Sequence, residues 1–197
     1  GGGLGGGSSN AAVVLLGLNK LWKLKLSQKE LLNLGAKIGA DVNFFLLGSS
    51  FAIGTGRGEV TSPLPLNSRL WHVLVAPAKG FSTKDIYELW DRYCAAKIRL
   101  TAALDDVKIL HLYIRNNDLA LLAETLHNDL QEPAQIKDKT IDKIKTALKS
   151  CGAKTALLSG SGSAVYAVAA SREEAMRIKQ ALAGLGNDWQ VFVTKTY

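Results

Sequence analysis

The run Gly-Gly-Gly-Leu-Gly-Gly-Gly-Ser-Ser-Asn-Ala-Ala at residues 1–12 constrains this chain most, because it feeds directly into Val13-Val14-Leu15-Leu16. Glycine lets the backbone turn sharply and approach a ligand with no Cβ in the way. Apolar residues then recur at helical spacing through Trp22, which predicts a glycine loop opening a helix over about Ser9–Lys23. A helix start carries N–H donors without acceptors and a partial positive charge, a combination that suits phosphate. A flexible Gly/Ser linker has a similar composition. A linker, however, has no need of the periodic apolar residues that follow.

At 197 residues with 47% hydrophobic content, the chain has room for one large domain or two small ones. The formal charge of +7 admits a nucleic-acid or anionic partner. Basic residues are interleaved with acids, as in Lys137-Asp138-Lys139, and form no long block. That pattern favours a solvated surface over a nucleic-acid module. Cys94 and Cys151 form no CxxC motif, which fits a reducing compartment. His72, His111 and His127 lack metal-ligand spacing, so no metal-ligating residue is assigned. No apolar run approaches membrane-spanning length, and no signal peptide is visible. Residue 1 is glycine and Met176 is the sole methionine, from which we expect sequence upstream of Gly1.

Farther along, Ser27-Gln28-Lys29-Glu30 reads as a capping box for a second helix ending near Gly35 or Gly39. An acidic turn and an apolar run follow, closed by Gly48. Phe51–Val60 reads as a strand interrupted by a glycine turn. Ser62-Pro63-Leu64-Pro65 breaks regular structure and marks a boundary, dividing the chain into 1–66 and 67–197. Beyond it, Trp71–Pro77 is a buried strand and Ser82 caps a helix through Trp90. Residues 94–131 look mainly helical, with breaks near Thr101 and Asn116-Asn117, and Pro133 is expected to end that stretch. A helix over about Lys137–Ser150 follows. Thr155–Leu158 and Ala164–Ala169 are strands joined by Ser159-Gly160-Ser161-Gly162-Ser163, a loop so short that they must be antiparallel. A helix capped at Ser171 and a strand over 190–194 complete an α+β layer.

Three segments taken together resemble the GHMP kinase superfamily: residues 3–12, Ile-Gly-Ala-Asp-Val at 38–42, and Ser-Gly-Ser-Gly-Ser at 159–163. Leu18-Asn19-Lys20-Leu21-Trp22, Gly56-Arg57-Gly58-Glu59, Phe81–Tyr87 and Asn128-Asp129-Leu130 add to the likeness. It is strongest to the branch acting on a cytidylated methylerythritol in non-mevalonate isoprenoid precursor synthesis.

The resemblance implies a two-domain α+β fold. Residues 1–66 would be the back part of an N-terminal domain like ribosomal protein S5 domain 2, and 67–197 a ferredoxin-like C-terminal domain. It implies ATP and Mg²⁺ as cofactors and a small-molecule acceptor as partner, with no nucleic acid and no membrane. It also implies an upstream segment, with which this chain would associate and without which it would be inactive and of low stability. The compartment implied is the cytoplasm, or the plastid stroma for a plant protein.

In residue terms, the resemblance puts Gly1, Gly2, Gly3, Leu4, Gly5, Gly6, Gly7, Ser8 and Ser9 around the nucleotide. One of the two serines would also touch Mg²⁺. Asp41 becomes the catalytic carboxylate; its ordinary alternative is a helix cap or turn residue. Gly160, Ser161 and Gly162 would bind substrate by closing over the active site beside the phosphates; the alternative is a plain tight turn between strands. Tyr87 would lie against the cytosine, with burial on a helix face as the alternative. Asn43 departs from the family, which generally has proline after Asp-Val. The competing readings are a mevalonate-type or homoserine-type kinase, a non-catalytic fragment, and a nucleic-acid-binding module.

Overall fold

A computed structural model describes residues 2–93, 104–185 and 188–196. The chain forms two compact units, one of Gly5–Leu66 and one of Gly1–Leu4 together with Asn67–Tyr197.

The Gly5–Leu66 unit holds α1 (Gly6–Leu21), α2 (Gln28–Ile38), α3 (Val42–Leu47), β1 (Ala52–Thr55) and β2 (Val60–Pro63). The sequence predicts α1 from Ser9, but the helix already starts at Gly6, with Gly5 as N-cap at φ 65°. Each helical glycine costs about 1 kcal/mol relative to alanine. Packing of α1 against α3 outweighs that cost, because Ala12 is sealed against Val42 and Leu46. Lys23 and Lys25 take positive φ and stop α1 before the predicted end. Ser27 and Glu30 form the expected capping box of α2. The apolar run after Asp41 coils into the single short helix α3. β1 and β2 pair antiparallel, from Ala52↔Pro63 to Thr55↔Val60.

The larger unit runs β3 (Trp71–Ala76), α4 (Thr83–Tyr93), α5 (Leu104–Arg115), α6 (Leu119–Thr125), α7 (Gln131–Lys137), α8 (Thr140–Ser150), β4 (Leu157–Leu158), β5 (Val165–Ala169), α9 (Arg172–Ala183) and β6 (Gln190–Lys195). Its sheet has the order β4-β5-β3-β6, with every neighbour antiparallel. Counted within the sheet, that is the fourth-first-third-second arrangement of a split β-α-β unit, as in ferredoxin-like folds. Val73, Val75, Val165 and Ala167 point to one face, where Ile86, Ile141, Ile144, Leu148, Ile178 and Leu182 cover them.

Pro133 does not end a helix. It lies in the first turn of α7, two residues after Gln131. An N–H there would have no acceptor within the helix, so proline loses nothing. No helix among the described residues is long and apolar enough to cross a membrane.

Candidate active site

In the Gly5–Leu66 unit, α3 packs along α1, with Phe45 against Gly5 and with Val42 and Leu46 in one cluster with Ala12. Gly5 combines φ 65° with the Phe45 ring, whose atoms would lie 2.8 Å from any Cβ placed there. A side chain is therefore excluded on two counts. Beyond it, a Cβ on Gly6 or Gly7 would meet nothing within 4 Å among the described residues, so this side of the turn stands open. The first helical amide bonded within this turn is that of Ser9, on the Gly5 carbonyl at 2.8 Å. By helical geometry, the amides of Gly6, Gly7 and Ser8 have no acceptor inside α1 and offer donors to an anion. The Ser9 hydroxyl donates to the Gly6 carbonyl at 2.9 Å, which keeps its oxygen at the helix start.

Asp41 is the N-cap of α3, yet its side chain makes no capping hydrogen bond, and it is exposed. It lies one turn before Phe45 and so on the same helix face. The ordinary cap role thus leaves the carboxylate unspent at the start of the helix whose Phe45 touches Gly5. Asn43 is 4% exposed, and its amide donates to the Glu59 carbonyl at 2.7 Å, fastening α3 to the β1–β2 turn. Where proline would stiffen the turn by covalent geometry, Asn43 holds it by this bond.

In the larger unit, Gly2 and Gly3 dock on the loop between β4 and β5. The Ser159 hydroxyl donates to the Gly3 carbonyl at 2.8 Å, and the Ala164 amide to the Gly2 carbonyl at 3.2 Å. Any Cβ on Gly3 would overlap the Ser159 carbonyl oxygen, and one on Gly162 would press on Leu158 at 2.9 Å. Leu4 is exposed, and Gly1 lies outside the described residues. Gly160 takes φ 53°. Ser161 is 8% exposed and shares a 3.0 Å hydrogen bond with the Thr83 hydroxyl. The loop is a tight turn, and it is also clasped from outside.

Beside this loop opens a cleft of about 660 Å³ whose walls include Tyr87, Trp90, Asp91, His127, Asn128 and Gly160. Tyr87 is 52% exposed, while its neighbour Ile86 is fully buried. The helix face of α4 therefore turns Ile86 into the core and Tyr87 out to the cleft. Tyr166 closes the floor, and burial raises its phenol above the usual range.

Thr83 and Asn128, to which the sequence assigns no role, contact the same loop. Thr83 sits one turn before Tyr87, a spacing that was available as a signal. Asn128 acts through backbone carbonyls of the β4–β5 loop; the Asn128-Asp129-Leu130 likeness points to the segment but not to this role. Among the described residues, no group of three or more His, Cys, Asp or Glu side chains is arranged to hold a metal ion.

Comparison with known proteins adds the following. The model for the GHMP kinases N terminal domain matches residues 1–49, and that for the GHMP kinases C terminal domain matches residues 110–188. The 4-diphosphocytidyl-2-C-methyl-D-erythritol kinase of Exiguobacterium sibiricum is 38% identical over 186 residues, covering 94% of this chain and 62% of that protein. The enzyme of the same name from Geobacillus kaustophilus is 37% identical over 193 residues, covering 98% and 63% respectively. The chain thus spans a little over three fifths of the length of these relatives. A crystal structure of 4-(cytidine 5'-diphospho)-2C-methyl-D-erythritol kinase superposes with a TM-score of 0.75 at 28% identity, covering 99% of this chain and 66% of the other. Homoserine kinase from Cytophaga hutchinsonii shares the fold, with a TM-score of 0.72 at 20% identity over 100% of this chain and 66% of that one.

Proposed function

The chain belongs to the GHMP kinase family, and from that premise we propose that it serves an ATP-dependent kinase acting on the 2-hydroxyl of 4-diphosphocytidyl-2-C-methyl-D-erythritol. The observation that carries this reading is the pairing of an open helix start with an unspent carboxylate. The Gly6–Ser8 amides head α1, Phe45 abuts Gly5, and Asp41 stands one turn before Phe45.

Phosphoryl transfer needs positioning and charge stabilisation more than covalent help from the protein. In this reading the amides at the head of α1, with the helix dipole behind them, hold the ATP phosphates. Asp41 accepts the proton of the acceptor hydroxyl as its oxygen bonds to the γ-phosphorus. The bond from that phosphorus to the bridging oxygen breaks, and ADP leaves with the electron pair. The products are ADP and the 2-phosphate. Tyr87, exposed in its cleft, stacks on the cytosine ring, and Gly160, Ser161 and Gly162 shape the wall beside it.

Mg²⁺ would find a hard oxygen, the type this ion selects, in the hydroxyl of Ser8 or Ser9. When bound, it would neutralise phosphate charge.

α1 also supports association with further sequence of the kind the relatives carry. Val13 (67%), Leu21 (72%) and Trp22 (63%) stand exposed on it, an apolar surface suited to a covering layer.

The test replaces the matching stretch of the Exiguobacterium sibiricum relative with this chain and measures phosphate transfer from ATP to three acceptors. The cytidylated diol should be phosphorylated. Mevalonate and homoserine should react slower by at least about a hundredfold, the scale a site with matched polar contacts reaches. Preference for either of the latter overturns the acceptor assignment, and absence of transfer to any of them makes this a non-catalytic segment.

A further inference from the structure

Among the described residues, β4 lies at the edge of the sheet, paired only with β5. Its outer side would ordinarily present bare N–H and C=O groups. Instead, two side-chain amides close it. The Leu158 amide donates to Gln131 Oε1 at 3.3 Å, and the Leu158 carbonyl accepts from Asn128 Nδ2 at 2.9 Å. The pair stands in for a neighbouring strand. Asn128 then goes further than sealing an edge. Its Nδ2 also donates to the Gly160 carbonyl at 2.8 Å, and its Oδ1 accepts from the Leu130 amide at 2.9 Å. Both amide hydrogens are thus spent on carbonyls that bracket Ser159, while the acceptor end is anchored to the start of α7.

The bracketed residue matters. Ser159 donates its hydroxyl to Gly3, and Gly162 and Ala164 take their amide bonds on Ser159 and Gly2. With Gly160 at φ 53° and Gly162 at φ 83°, the loop has many backbone alternatives unless something outside selects one. We propose that Asn128 is a positioning residue that fixes the β4–β5 glycine loop, and through it Gly2 and Gly3, in the geometry needed for phosphoryl transfer. The proposal rests on the kinase reading above for its link to turnover. The clasp itself is independent of that reading.

Asparagine is the required residue by chemistry and not by size. Aspartate has the same shape and keeps the acceptor for Leu130, but it has no hydrogens for Leu158 and Gly160. It would set a negative charge against two carbonyl oxygens. Alanine removes the donors without adding charge.

The experiment compares Asn128→Asp and Asn128→Ala with the parent in two measurements. Amide hydrogen exchange on the chain should quicken by at least about tenfold at Gly162 and Ala164, the scale of losing one or two hydrogen bonds, with α8 and β3 unchanged. In the chimeric kinase, kcat should fall by at least about tenfold while KM for ATP stays within about threefold, because the head of α1 is untouched. Loop exchange and kcat within about twofold of the parent overturn the proposal. Faster exchange throughout α8 and β3 in both variants overturns it too, since Asn128 would then merely stabilise the unit. If the parent chimera transfers no phosphate, the kinase reading fails, and the exchange measurement still decides the clasp.

Discussion

His72 lies on β3 opposite Val168 and Thr194, with its ring edge-on to Tyr166 at 6.0 Å between centroids. Burial lowers its pKa below the ordinary 6.5. Above that ordinary value His72 is neutral both folded and unfolded, and its packing contributes in full. As pH falls, the unfolded chain takes up a proton first, so stability is lost from about 6.5 downward until the folded imidazole also titrates. Thermal unfolding followed from about pH 8 to about pH 5 should show the midpoint falling across this window. His72→Gln should remove that step. An unchanged step in the variant would assign the acid sensitivity to other groups. Asp41 makes the opposite point at the same scale. A carboxylate at an N-cap normally satisfies a backbone amide, and here it does not.

Among the elements, the contact of α2 with α3 is the tightest built on a glycine. A Cβ on Gly35 would overlap Asn43 Oδ1 and lie 2.8 Å from Leu46 Cδ1. Both neighbours are buried, and Asn43 Oδ1 has no hydrogen-bond partner among the described residues. Gly35→Ala therefore has a helix-propensity gain of about 1 kcal/mol set against overpacking of about 1–3 kcal/mol. We expect net destabilisation, read as a lower denaturant midpoint; a raised midpoint would mean α3 yields easily. The capping box at Ser27, the glycine-turned hairpin and the strand at 71–76 were legible because each follows from local chemistry. The start of α1 and the place of Pro133 were not. Glycine and proline look like breaks in a sequence. Tertiary packing decides whether Gly6 joins a helix, and position within the first turn decides whether Pro133 harms one. Gly3 was legible as a loop glycine, but its partner Ser159 lies at the far end of the chain. The pairing of Thr83 with Ser161 is not readable from local spacing, even though the one-turn spacing of Thr83 to Tyr87 is.

At the scale of the whole molecule, the two units differ in how much they bury. The larger has an extensive core around β3 and β5, whereas the Gly5–Leu66 unit closes on Ala12, Leu31, Val42 and Leu46. α1 meanwhile keeps Val13, Val14, Leu16 and Leu21 in solvent. The central claim is that Asp41 moves a proton in phosphoryl transfer and does not shape the fold. The most direct test is Asp41→Asn in the chimeric kinase, with turnover of the cytidylated diol and ATP affinity measured on the same protein. The account predicts a fall in kcat of about 10²–10⁴, the usual contribution of a positioned general base, with ATP binding and melting temperature unchanged. Turnover that survives the substitution at the parent rate would contradict it.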